Sequence, residues 1–351
     1  MRSSSGAGGI ACEIVVSAGR RKHLPHWIAF ILSAASVYAQ PGPALWQDPG
    51  SPAVIEHLDL GGSAGTGIPA PQPPFTFLRE DPSGTQPKLF ARDAEGHTWN
   101  VKFGYEVHNE SFCWRVVRAC GYFVEPSFFV ASGRFENYQP IHRPSASLHP
   151  DGGFTDARFQ YRDPKLQFLE HRNWRWDRPP FAGTKELDGL KILIMLFSNW
   201  DNKDGRVGTG GPNTAIFERT APVQYPDGKV AVRDWRIYAF TDWGSGMGRW
   251  GSVAGSDSNW NCADYTAQSP AFVRGVERGR VVFGWEGAIN EGFRDSIPAA
   301  HVRWLLQYLG RIGDAQFTAA LRAAGAADGD AACFTRAIRA RVEELRKVVG
   351  N

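Results

Sequence analysis

Hydrophobic and polar positions change their spacing several times along the 351-residue chain. A continuous apolar run, Trp27 to Ala39, stands behind Arg20, Arg21 and Lys22 and ends in small residues. A basic stretch ahead of a short apolar one has the form of a secretory signal peptide, and this run is too short to span a bilayer comfortably. Residues 40–74 are rich in Pro, Gly, Ala and Ser without an apolar period, which predicts a linker or a strap over the surface. The folded body is expected from Phe75. Alternation appears in KLFAR and again in TWNVKF, two strands flanking a turn at Asp93-Ala94-Glu95-Gly96.

The period then lengthens to that of a helix. Asn109 is placed to cap a segment ending at Cys120, in which Phe112, Val116 and Ala119 share a face and Gly121 stops the turn. A strand is expected over Tyr122 to Ala131. Residues 136–183, with much Arg, Trp, Pro and Asp, sustain no period and read as an insertion or connector. Thr184 caps the strongly apolar ELDGLKILIMLFSNW, and a strand pair follows around Asn213–Glu218 and Trp235–Thr241, turning at Pro226-Asp227-Gly228. The rest is helical: Ala299–Ile312, Asp314–Ala324 and Asp328–Val349. The order predicts an α+β protein with a small strand-rich lobe over 75–135 and a mainly helical lobe over 184–351.

Composition sharpens this picture in three respects. With 42% hydrophobic and 21% charged residues the chain can bury one large core or two moderate ones. Its formal charge of +3 is carried by the first 39 residues, and the balanced remainder argues against bulk attraction to nucleic acid or anionic membrane. Beyond the leader stand Cys113, Cys120, Cys262 and Cys333, an even set suited to one or two disulfides in an exported, periplasmic or secreted protein. Cys113 and Cys120 lie seven apart on the expected helix, about 10 Å along its axis, and should not bond each other.

The chemistry-bearing residues come in a definite order. Ser83-Gly84-Thr85-Gln86-Pro87-Lys88 is a turn whose glycine can bring backbone N–H groups to phosphate oxygens, followed by a cation. Lys102 sits on an alternating strand, and Glu110 in the first turn of the next helix offers it an anionic partner. After the apolar helix comes Asn199-Trp200-Asp201-Asn202-Lys203, in which Asp201 suits a base for an attacking hydroxyl and Lys203 a neutraliser of transferred phosphoryl charge. Asn213, with Asn202 in reserve, and Asp242 of the strand-terminal Thr241-Asp242-Trp243-Gly244 offer oxygen ligands to magnesium. A calcium loop at Asp201, Asn202, Asp204 and Gly205 is disfavoured by Lys203 in the third position.

In this order the motifs resemble those of the HipA-type branch of the protein-kinase-like superfamily, with a more distant likeness to secretory-pathway kinases and phosphatidylinositol-kinase-like folds. The likeness runs over about residues 75–250 and is carried by SGTQPK (83–88), VKF (101–103), NESFC (109–113), Asn199-x-Asp201 and Asp242-Trp-Gly244. It implies a bilobal kinase fold that binds ATP with Mg²⁺ or Mn²⁺ and transfers a phosphoryl group, or with ATP flipped a nucleotidyl group, to a hydroxyl acceptor on a protein, sugar or small molecule. Ser83, Gly84, Thr85, Lys88, Lys102 and Glu110 would serve the nucleotide, Asp201 and Lys203 catalysis, and Asn213, Asp242 or Asn202 the metal. Asn213 stands twelve residues after Asp201, where kinases usually space this pair by about five. Two other readings compete: a kinase-fold module that binds without turnover, and an exported carbohydrate- or surface-binding protein using some of its 13 tryptophans.

Overall fold

The computed structural model describes residues 44–350 apart from 144, 170–171, 207–211, 225–229, 252–256 and 295. The leader and the Pro226–Gly228 turn lie outside the described residues. Helix α1 (Pro52–Glu56) precedes strands β1 (Phe75–Glu80), β2 (Lys88–Arg92) and β3 (Thr98–Phe103), helix α2 (Val107–Ala119), and strands β4 (Ser127–Glu136), β5 (Gly153–Tyr161) and β6 (Leu166–Phe168). Helix α3 (Lys185–Leu196) leads to the long hairpin β7 (Thr214–Gln224) and β8 (Val230–Phe240). The remainder is α4 (Cys262–Gln268), β9 (Val273–Glu277), β10 (Arg280–Phe283), β11 (Ile297–Pro298), α5 (Ala299–Leu309), α6 (Asp314–Ala323) and α7 (Asp328–Val349). The fold is mixed α+β, and no helix among the described residues is long and apolar enough to cross a membrane.

Strands β1-β2-β3-β5-β4 close into a barrel through a parallel β1–β4 pairing at Phe75↔Phe135 and Thr76↔Glu136. Its interior is aromatic: Phe75 meets Phe159 at 4.8 Å between ring centroids, and Phe135 meets Phe154 at 4.7 Å. Because β5 lies between β3 and β4, the stretch expected as a connector supplies a barrel strand, and the strand-rich unit does not end at residue 135. Asp156 explains why the alternation there is hard to see. Its φ of 47° leaves it without a partner between Val130↔Ala157 and Ser132↔Thr155 while the β4–β5 register continues unshifted, and Phe154 and Ala157 are both buried although three residues apart.

Residues 44–68 are a strap rather than a loose linker. Ala44 bridges Ile237 in parallel, Trp46 bridges Tyr122, and Leu45, Ile55, Leu60 and Ala64 are buried in the core. The Trp46 indole donates to Cys120 O at 2.7 Å beside Gly121, whose φ of 89° and contact with Trp46 and Gln47 leave no room for a Cβ. In the helical part, α3 starts as expected, with Leu187 N–H donating to the Thr184 hydroxyl at 3.2 Å. Its C-terminal carbonyls are met by tertiary donors: Arg341 on α7 and the Tyr265 hydroxyl both donate to Leu196 O, at 2.7 and 2.6 Å. Cys262 and Cys333 form a disulfide joining α4 to α7, while Cys113 and Cys120 are free and buried.

Candidate active site

The site forms where α2 and the ends of β3 and β8 meet. Alternation on β3 sends Val101 and Phe103 into the barrel and leaves Asn100 and Lys102 on the outer face. Lys102 is only 7% exposed and bonds two carboxylates of α2 and its flank, Glu106 Oε2 at 2.5 Å and Glu110 Oε1. The second Glu110 oxygen lies 2.6 Å from Arg158 Nε on β5. The expected Lys102–Glu110 pair is therefore present and embedded in a larger ion network. Glu106 and Arg158 are its members that sequence reasoning missed. Glu106 stands four residues after Lys102, a spacing that offered a signal; Arg158 was hidden in the assumed connector.

Asp242 joins this network. Carboxylate oxygens of Glu106, Glu110 and Asp242 all lie within 4.8 Å of one another. Burial alone would raise the Asp242 carboxyl, but Lys102, the Gly244 N–H at 2.9 Å, Arg158 and Lys203 outweigh it and hold it below the usual carboxylate range. Glu106 moves the other way. Burial, with Asp242 and Glu110 nearby, outweighs Lys102 and pushes its carboxyl up to about 7. Lys102 itself is raised above its ordinary value because the surrounding acids overcome its burial.

Helix α2 is locked onto the Asp242 loop by a residue expected in another role. Asn109 does not cap the helix, which begins at Val107 after Glu106; it is fully buried, and its Nδ2 donates to Gly244 O at 2.6 Å and Gly246 O at 2.7 Å. Gly244 carries no side chain because a Cβ there would stand 2.7 Å from Glu106 Cβ. The α2 anchor and the Asp242 loop thus fit only as a pair.

The loop after α3 approaches from below. Asn199 Nδ2 donates to Asp242 O at 2.8 Å and its Oδ1 accepts from Asp201 N–H at 3.1 Å, so one side chain ties the two loops together. Asp201 Oδ1 pairs with Lys203 Nζ at 3.0 Å, both partly exposed. Asn213, despite its distance in sequence, returns to this loop: its N–H donates to Lys203 O at 2.9 Å, its Nδ2 donates to Asp201 O at 2.5 Å, and its carbonyl accepts from Thr241 N–H at 2.8 Å. The side-chain oxygen is the Asn213 atom left for a cation. Asn202, the reserve ligand, is fully committed elsewhere, since its Nδ2 donates to Ile289 O at 2.8 Å and its Oδ1 accepts from Ile289 N–H at 2.9 Å. Asp204 is likewise engaged, accepting from Trp176 N–H at 2.7 Å and pairing with Arg206.

The 83–88 turn lies across β2 from this group, with Lys88 directly opposite Lys102 in the β2–β3 register. Ser83 does not present itself to a ligand: its N–H and hydroxyl both donate to Asp81 Oδ1, at 3.0 and 2.6 Å, and its oxygen accepts from Lys88 Nζ at 3.1 Å. Gly84 supplies the φ of 63° that the turn requires. Arg143, from the far side, donates to Pro82 O at 2.7 Å and Ser83 O at 3.1 Å, fixing the turn from outside. Of the turn residues, Thr85 has a side chain that bonds nothing among the described residues, and Lys88 keeps a cation near Lys102.

Most of the described tryptophans are buried and serve packing. Trp174, Trp176, Trp200, Trp243 and Trp285 are buried, the Trp176 indole braces the Asn202 carbonyl at 2.8 Å, and no tryptophan is among the exposed large hydrophobics of the described residues. The chain matches no family model, no curated protein and no solved structure.

Proposed function

We propose that the protein is an ATP-dependent phosphotransferase of bilobal, kinase-like architecture acting on a hydroxyl acceptor. What supports this reading above all is the meeting of Lys102, Glu110 and Asp242, which come from a strand, the next helix and a loop more than 130 residues later. Around them stand Asp201, Lys203 and Asn213, joined by the Asn199 bridge. Lys102 and Lys88 offer charge to the nucleotide phosphates, and Glu110 with Arg158 sets the Lys102 ammonium. Asp201 accepts the proton as the acceptor oxygen attacks the γ-phosphorus and the bond to the ADP oxygen breaks. Lys203 balances the charge that develops on the transferred group.

The donor set fits a small hard divalent cation: Asp242 and the Asn213 carboxamide oxygen are oxygen ligands, held by backbone bonds on both flanks. Such an ion, when bound, neutralises phosphate charge. A second reading has support in the same contacts. Lys102 is taken by two carboxylates and Asp201 by Lys203, as suits a kinase-fold module that binds without turnover. Incubation of the chain with ATP and Mg²⁺ or Mn²⁺, following ADP, AMP and protein mass, separates the two. Turnover is expected, cut by about two to four decades in Asp201→Asn and abolished in Asp242→Asn. A rise in melting temperature with ATP but no consumption would favour the binding module, and full turnover by Asp201→Asn would remove the base assignment.

A further inference from the structure

Apart from the Lys102 network, a cavity of about 360 Å³ lies between the barrel and the β7–β8 hairpin. None of Lys102, Glu106, Glu110 and Asp242 lines it, although Thr241, the residue before Asp242, does. Its volume is in the range of small-molecule sites. Phe123, Phe217, Ile237 and Tyr161 give it an apolar wall, and Thr66 and Ile68 of the strap close one side.

The charges around this cavity do not cancel. Glu125 pairs with Arg162 at 2.7 Å, and Asp163 with Arg219 at 2.5 Å, so both acids on the wall are neutralised. The Arg118 guanidinium, at the last turn of α2, makes no hydrogen bond or ion pair among the described residues, although the residue is half-buried and burial pulls its pKa down. It also lines a neighbouring cavity of about 260 Å³, where Asp48 forms no ion pair with it. Arg219 Nε, on the main cavity wall, is buried without a hydrogen-bond partner. A desolvated guanidinium without an anion is unfavourable. Here it is coupled to an apolar chamber, which is what an amphipathic anion requires.

We infer that this cavity is a binding site for a small organic carboxylate, with the anionic head on Arg118 and an aromatic or acyl body against Phe123, Phe217 and Ile237. The inference does not depend on nucleotide transfer. It is tested by titrating the whole chain with 2-naphthoate and with its neutral analogue 2-naphthylmethanol, following ligand fluorescence. Naphthoate should bind at least about tenfold more tightly, as a charge-assisted contact warrants. Arg118→Met should erase that preference without lowering the melting temperature, and Arg118→Lys should keep most of it. Equal affinity for the two probes, a preference that survives Arg118→Met, or no binding of either at millimolar concentration would overturn the inference. Displacement of naphthoate by adenosine would overturn it too, by making the cavity the seat of the nucleotide base.

Discussion

Glu106 provides the sharpest test of the electrostatic description. A carboxyl that titrates at 4.5 when unfolded and at about 7 in the native protein binds its proton more tightly when folded. Its contribution is therefore fully present below pH 4.5 and is lost as pH rises through 7. Each tenfold step in proton affinity is worth about 1.4 kcal/mol, so between pH 5 and pH 8 this one group should cost the parent protein about 2.5 kcal/mol, to order of magnitude. Glu106→Gln keeps the shape and removes the titration. Urea unfolding of both proteins at pH 5 and pH 8, in EDTA, cancels the histidines and other groups they share. The variant should be close to the parent at pH 5, where Glu106 is mostly protonated, and should exceed it by about 2.5 kcal/mol at pH 8, where the parent carries the buried charge. Asp242 does not confuse the comparison because its pKa is held below the usual carboxylate range. Parallel pH profiles would refute the argument, and with it the view that burial and the neighbouring acids outweigh Lys102 at this position.

Two further outcomes follow from the packing. The Cys262–Cys333 bridge spans 71 residues, and the chain-entropy relation gives about 4 kcal/mol for a loop of that size. Reduction should lower denaturant stability by an amount of that order and release two further thiols; a loss below about 1 kcal/mol would show that the bridge constrains little. Asn109→Ala should cost about 2–3 kcal/mol by leaving the Gly244 and Gly246 carbonyls without a donor, and Asn109→Asp should cost more, since it sets an acid against both. Equal melting temperatures for the two variants would remove the clamp from the account.

What could be read from the sequence was whatever is local or strongly patterned. Thr184 with its apolar run, the Asp93–Gly96 turn, and the three C-terminal helices needed only caps and periodicity, and the structure has them within a few residues. Lys102 and Glu110 were found because strand alternation and helix position put them within reach. Arg158 was missed for a physical reason. On β5 the polar side chains Arg158 and Gln160 face outward but stay largely covered, and the positive φ at Asp156 displaces the apolar set by one residue, so the segment shows neither an exposed polar face nor a clean period. Asn109 misled in the opposite way: asparagine favours helix starts, yet here tertiary carbonyls claim its amide. Asn202 shows the same limit, because nothing local tells that Ile289, 87 residues away, takes both of its polar atoms.

The parallel β1–β4 pairing has a consequence for association. Where the sheet closes on itself, at Phe75–Thr76 against Phe135–Glu136, it offers no free backbone donors and acceptors, so a partner cannot add a strand at that seam. Open edges remain in the three-stranded β11-β10-β9 and β6-β7-β8 sheets; in the latter, outer strand β8 is met in part by Ala44 at Ile237, and outer strand β6 is three residues long and carries the exposed Phe168. A short edge is a poor template. Cutting the chain ahead of residue 81 would reverse this, because loss of β1 would open the barrel and expose both β2 and β4 as edges at once.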